Sequence, residues 1–185
     1  SWITEIFVAL SGEDELFQAL IGEQFDKVTR VRGGASRAES VLNALSEASR
    51  SHPARSWTMV HDAARPCLSA KDIAQITAYI ETNPTEGMIL ADKVHDTVKR
   101  ASADDYIEQT VDRSYLWRAL TPQVFRLGDL KQALETGQLS DITDEASAME
   151  RAGYTPHLIQ GDARNIKVTR RADLTLAELF LKQLE

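Results

Sequence analysis

Short apolar runs alternate with helix-period segments along most of this chain. Ile6-Phe7-Val8-Ala9-Leu10, stopped by Ser11-Gly12, reads as a buried strand. Residues 13–21 set Leu16, Phe17, Leu20 and Ile21 at helical spacing. Lys27-Val28-Thr29-Arg30-Val31 then alternates as a half-exposed strand does. Gly33-Gly34 breaks that run, and residues 36–49 place Ala38, Val41, Leu42, Leu45 and Ala48 on one helical face. A second cycle follows, with a strand over 57–60, a helix over 70–81 and a strand over 88–91. Strands alternating with helices of about ten residues predict βαβ units and a mainly parallel sheet with right-handed crossovers.

Between Asp92 and Pro122 the period changes. Val94, Thr97 and Val98, then Ile107, Thr110 and Val111, predict two short strands around the polar turn Ser102-Ala103-Asp104-Asp105. We read this as a β-arm over about 93–120 that leaves the main sheet. So small an arm has little core of its own, and packing against a second subunit would stabilise it. The α/β order returns with helices over 127–135 and 144–152, a strand around His157-Leu158-Ile159 and a last helix over 172–184.

Composition narrows the class. At 185 residues and 43% hydrophobic, the chain can build one well-cored domain and is too short for two full ones. A net charge of -7 argues against non-specific nucleic-acid binding, which needs a clustered basic surface. Phosphorylated small molecules stay open, because local Arg and Lys bind phosphate inside an acidic protein. There is no apolar run of about 18 residues, so no membrane span is expected. Ser1-Trp2-Ile3-Thr4-Glu5 lacks the features of a signal peptide. Cys67 is the only cysteine, which rules out an internal disulfide and suits a reducing, cytoplasmic setting.

The densest chemistry is Val60-His61-Asp62-Ala63-Ala64-Arg65-Pro66. In parallel α/β sheets ligands bind beyond the carboxyl ends of strands, and Asp62 falls just past such an end. Two small alanines allow close approach, Arg65 supplies a forked cation, and Pro66 stiffens the exit. A carboxylate there can hold Mg²⁺, which uses one or two carboxylates and keeps several waters. The plain alternative is an Asp–Arg surface pair at a turn. His61 faces away from Asp62 and reads as a satisfied core histidine. Gly33-Gly34-Ala35-Ser36-Arg37-Ala38-Glu39-Ser40 offers close backbone approach before a helix N-terminus, or an ordinary capped βα loop. Asn165-Ile166-Lys167-Val168-Thr169-Arg170 puts a lysine on a short strand, either as a phosphate clamp or as a solvated basic turn. Thr143-Asp144-Glu145 is explained by helix capping and also suits phosphate. Asp96, Thr97, Lys99, Arg100 and Arg113 give the arm a polar, basic set.

HDAARP, GGxxRxxSV, DTxKR, TVDRxxLWxALTPQ, TDEASAxE and NIKVT...DLxLAE span nearly the whole chain. Together they resemble 2-C-methyl-D-erythritol 4-phosphate cytidylyltransferase, of the non-mevalonate isoprenoid pathway. The resemblance implies a Rossmann-like nucleotidyltransferase fold in a single domain over 1–185, dimerised through the arm. It implies cytidylyl transfer from CTP to methylerythritol phosphate with release of pyrophosphate, assisted by Mg²⁺. Carried over by position, Gly33, Gly34 and Ser40 line the cytidine site, Asp62 serves metal and phosphates, and Arg65 supports that loop. Thr97 and Arg113 reach the acceptor phosphate of the neighbouring subunit, while Thr121, Thr143 and Lys167 complete the phosphate surroundings. Ala35 stands where the family often has an acidic residue.

The family's first strand and glycine-rich phosphate loop have no counterpart in these residues. On the resemblance, the chain is expected to lack roughly 50 N-terminal residues, about a quarter of an ordinary domain, leaving inner strand edges exposed. Two other readings stand beside the leading one. A related nucleotidyltransferase would act on another polyol or sugar phosphate, and a non-catalytic dimeric remnant would keep the arm but not the phosphate loop.

Overall fold

A computed structural model describes residues 2–21, 26–83, 85 and 87–184. These divide into two compact units, one of residues 1–60 and 124–156, the other of 61–123 and 157–185.

In the first unit, strand β1 (Ile6–Leu10) pairs in parallel with β2 (Val28–Arg32), in a register running from Ile6 opposite Val28 to Leu10 opposite Arg32. Helix α1 (Leu16–Leu20) lies between them in sequence and has no buried residue. Just ahead of it, Asp14 Oδ1 accepts the Phe17 N–H at 2.8 Å. The helix is shorter than its apolar spacing predicts, and Leu16 and Leu20 stay exposed. Strand β1 is also more exposed than a buried strand would be, with no fully buried residue. The reason is its packing, since β1 has one sheet neighbour, β2, among the described residues.

Helix α2 (Arg37–Ala48) packs on β1 and β2 through the face that Ala38, Leu45 and Ala48 bury. Ser36 caps it by accepting the Glu39 N–H, as a serine ahead of an apolar-periodic run predicts. Strand β3 (Trp57–Val60) neighbours β7 (Trp117–Arg126). The turn into α4 (Leu127–Thr136) is fixed by backbone bonds from Leu127 to the Ser56 carbonyl and from Gly128 to the Ala54 carbonyl. Helices α4 and α5 (Glu145–Arg151) pack together and, with α2, enclose Phe125, Leu130, Leu134 and Met149.

In the second unit the strand order is β7, β4 (Met88–Lys93), β8 (His157–Gln160), with β4 and β8 parallel. Met88 through Asp92 are all buried, which is why this strand reads as a continuous apolar run rather than an alternation. Helix α3 (Ala70–Thr82) begins in a capping box of Ser69 and Asp72 and buries Ile76. Helix α6 (Arg171–Leu184) buries Ala177. Within the span expected for the arm, β5 (Val98–Ala101) pairs antiparallel with β6 (Ile107–Val111), with a register shift at Arg100/Ala101.

Strand β7 is the main element the apolar pattern does not reveal. Pro122 inside it reads as a strand breaker, yet Leu120 to Phe125 are buried without interruption. Lys167 also departs from expectation, since it lies in a loop rather than on a short strand. That loop makes one backbone bond to the Asp62 turn, from Val168 N–H to the Ala64 carbonyl at 2.8 Å, and a single bond does not extend a sheet.

Asp92 is the last buried residue of β4. Only 4% exposed, it accepts from Arg118 and from Gln160 Nε2 at 2.9 Å. Burial works to raise its carboxyl, but the bonds from Arg118 and Gln160 together outweigh that and hold it below the usual carboxylate range. A depressed folded value stabilises the protein above the unfolded value, and the gain disappears as pH falls through the folded one. Asp92→Asn should therefore melt below the parent at neutral pH, by several degrees for a loss of about 1 kcal/mol. Thermal melts taken down to pH 3 should show the two curves converging as the carboxylate protonates.

Candidate functional site

Two groups of the expected residues are assembled, one in each unit. In the second unit, Asp62 lies two residues beyond β3 at the head of a turn closed by Arg65 N–H to the Asp62 carbonyl at 2.9 Å. Its Oδ2 accepts from Lys167 Nζ at 2.9 Å and lies 3.8 Å from Arg65 Nε. The carboxylate thus sits between two cations. Lys167 is 44% exposed, so the pair contributes little to stability and leaves the ammonium within reach of solvent and ligands.

Arg65 points largely inward. Its Nη1 donates to the Asn165 carbonyl at 2.8 Å, stitching the Asp62 turn to the loop that carries Lys167. Asn165, buried, donates from Nδ2 to the Thr121 carbonyl at 2.8 Å. Asp162, in the same loop, is anchored through its N–H to the buried Asp72 at 3.0 Å. The Arg164 bonds hold the Asp162 carboxyl below its ordinary value, against an opposing effect of burial.

Thr121 is 4% exposed. Its hydroxyl oxygen accepts the Asp62 N–H at 3.0 Å and lies 2.9 Å from His61 Nδ1. The other ring nitrogen of His61 is 2.9 Å from the Arg65 carbonyl. The histidine is satisfied at both nitrogens, as its position in the strand pattern suggests. Burial pushes its imidazole below the ordinary value, only partly offset by the Arg65 carbonyl.

Thr97 and Arg113 sit at the root of the arm, flanking the Val98–Val111 pair, and both are exposed. The Arg113 guanidinium donates to the His95 carbonyl, which holds the two arm strands together at that end.

In the first unit, Gly33, Gly34 and Ser40 line a cleft of about 600 Å³ together with Ser11, Arg32 and Asn43. The Gly33 N–H donates to the Leu10 carbonyl at 2.7 Å. The Gly34 N–H donates to Ser40 Oγ at 3.0 Å, and Ser40 donates in turn to the Ser36 carbonyl at 2.8 Å. A Cβ on Gly34 would come within 2.3 Å of Glu39 Cγ. Glu39 itself reaches back to accept the Ala35 N–H at 2.7 Å, so a carboxylate does stand beside Ala35, supplied from the helix.

Thr143 is exposed just ahead of the α5 cap, Asp144, and donates its N–H to Ser147 Oγ at 3.1 Å. One further pair, not apparent from the motifs, ties them together. Arg37 donates two bonds, of 2.6 and 2.9 Å, to Glu145, which is 1% exposed. The start of α2 is thereby bound to the start of α5. Both partners sit in the first turn of their helices, among other charged and capping residues, so nothing local marks them as a pair. No spacing rule connects residues so far apart in sequence.

Among the described residues no three His, Cys, Asp or Glu side chains come together to hold a metal. One carboxylate, Asp62, is what the charged cluster offers. That donor set suits Mg²⁺ completed by water and substrate phosphates, and does not suit an all-protein cage.

Solved structures supply the class. The chain superposes with a TM-score of 0.83 on the Francisella tularensis 2-C-methyl-D-erythritol 4-phosphate cytidylyltransferase, at 32% identity, over 96% of this chain and 80% of that one. The fold is the Rossmann-like nucleotidyltransferase fold. The family model described as 2-C-methyl-D-erythritol 4-phosphate cytidylyltransferase (IspD) matches residues 1–183. Relatives of that name are similar along nearly all of this chain. The Shewanella amazonensis protein is 52% identical over 97% of this chain and 75% of its own length. The Aeromonas hydrophila protein is 48% identical over 98% and 72%. The chain belongs to the 2-C-methyl-D-erythritol 4-phosphate cytidylyltransferase family.

Two substitutions test this geometry. Gly34→Ala should lower stability by about 1–3 kcal/mol through overpacking against Glu39, read as a lower urea midpoint at unchanged slope. Arg37→Ala should cost about 3 kcal/mol, since it takes both guanidinium bonds from the buried Glu145 carboxylate, and the same assay measures it.

Proposed function

We infer that this protein transfers a cytidylyl group from CTP to 2-C-methyl-D-erythritol 4-phosphate. The family match over residues 1–183 carries this reading. A phosphate oxygen of the acceptor attacks the α-phosphorus of CTP in line, the bond to the β-phosphate oxygen breaks, and pyrophosphate leaves. No covalent enzyme intermediate is needed, so the protein's work is positioning and charge cancellation.

The Asp62 cluster is suited to that work. Asp62 would hold Mg²⁺, and the ion when bound would neutralise charge on the phosphoryl oxygens. Lys167, held 2.9 Å from that carboxylate, would move to phosphate oxygens as a point charge. Arg65 would keep the turn in place, and Thr121 would act from behind it. Gly33, Gly34 and Ser40 would take the cytidine, with Thr143 among the groups near the phosphates. Thr97 and Arg113 would bind the acceptor phosphate in a neighbouring subunit.

That last assignment requires a homodimer joined through the arm. Support comes from the arm's apolar exposure, with Tyr106 75%, Ile107 69% and Tyr115 90% exposed, more than an isolated hairpin sustains in water. A cytoplasmic location is supported by the single cysteine, Cys67, a buried free thiol. No described helix is long and apolar enough to cross a membrane.

Pyrophosphate release from CTP, methylerythritol phosphate and Mg²⁺ is the direct test. Turnover with this acceptor supports the reading, whereas turnover only with another polyol phosphate replaces it with the related transferase. A folded protein that releases none with any acceptor overturns it. Asp62→Asn should lower kcat by about 10²–10³ while shifting the melting temperature by only a few degrees.

A further inference from the structure

We propose that His61 is a positioning residue for the transfer step, acting through Thr121 and the Arg65 carbonyl to fix the turn that presents Asp62. The argument rests on hydrogen-bond direction. The Arg65 carbonyl can only accept, so His61 Nε2, 2.9 Å away, carries the proton. A neutral ring then has its lone pair at Nδ1, and the Thr121 hydroxyl 2.9 Å away donates to it. The oxygen of that hydroxyl keeps lone pairs for the Asp62 N–H at 3.0 Å. Arg65 N–H returns to the Asp62 carbonyl at 2.9 Å.

The bonds form a closed circuit in which each proton has one direction. It runs from the Asp62 amide to Thr121, from Thr121 to His61, from His61 to the Arg65 carbonyl, and from the Arg65 amide back to Asp62. A rigid ring with a donor on one side and an acceptor on the other is what the circuit needs, and the neutral imidazole supplies it. Asn could offer an acceptor near the Nδ1 position but falls short of the Arg65 carbonyl. Phe would fill the space and make neither bond. Thr121 is held independently on β7 by Asn165, so the circuit references the Asp62 turn to a buried strand. The circuit ranks His61 above an ordinary packed histidine, because it determines where the Asp62 backbone sits.

The functional half of this proposal rests on Asp62 serving the phosphate site, while the circuit itself does not. Imidazole ¹⁵N spectra of the full chain, at a pH where the ring is neutral, should show His61 protonated at Nε2 and bare at Nδ1. A proton on Nδ1 would overturn the circuit. Thr121→Val should move the Nδ1 resonance toward its unbonded position, and an unmoved resonance would also refute it.

Folded His61→Phe should lose about 10–100-fold in kcat for cytidylyl transfer, with KM for CTP changed by no more than about threefold. His61→Asn, which keeps the acceptor, should recover part of that loss. Parental kcat in His61→Phe would overturn the positioning role. If the parent chain transfers no cytidylyl group to any acceptor, the functional reading falls with the kinetic arm, and the spectra still decide the circuit.

Discussion

The buried contact between Asn165 and the Thr121 carbonyl, 2.8 Å long, is the constraint on which the charged end of the second unit depends. Loop backbone cannot be buried without partners, and here two loops supply one another. Arg65 takes the Asn165 carbonyl, Val168 takes the Ala64 carbonyl, and Thr121 takes the Asp62 amide. Asp62 and Lys167 are far apart in sequence, yet they meet because the backbone behind them is mutually satisfied. Their own ion pair, half open to water, is too weak to bring this about.

The first unit solves a similar problem with charge. Glu145 is taken out of water at the start of α5, and Arg37 compensates it through two short bonds. Removal of Arg37 is costly because the buried Glu145 carboxylate loses both of those bonds. The Gly33–Gly34 turn is fixed next to this anchor by the serine relay from Gly34 through Ser40 to Ser36. Motifs that look separate along the chain are therefore joined in pairs, GGxxR with TDE and HDAAR with NIK.

Period and capping made most elements legible beforehand. Ser36 and Asp144 stand where caps were expected, and β4 declared itself by an unbroken apolar run. The turn Ser102 to Asp105 gave away the arm hairpin. Strand β7 escaped because Pro122 breaks the local rule, and only neighbours on the sheet make ten residues there extended. Exposure of β1 escaped for a related reason. An apolar pentapeptide announces a strand but does not say how many neighbours cover it.

The Val60-His61-Asp62-Ala63-Ala64-Arg65-Pro66 segment shows where that division falls. Residue types and their order determined the α/β class, the family, and the placement of a carboxylate and a guanidinium just past a strand. Those properties are local, written in periodicity and composition. Tertiary structure alone decided that Arg65 turns inward to a carbonyl, that Lys167 lies on Asp62, and that Thr121 and His61 close a circuit behind them. Hydrogen-bond direction depends on which groups meet across distant segments, and a one-dimensional pattern carries no record of those meetings.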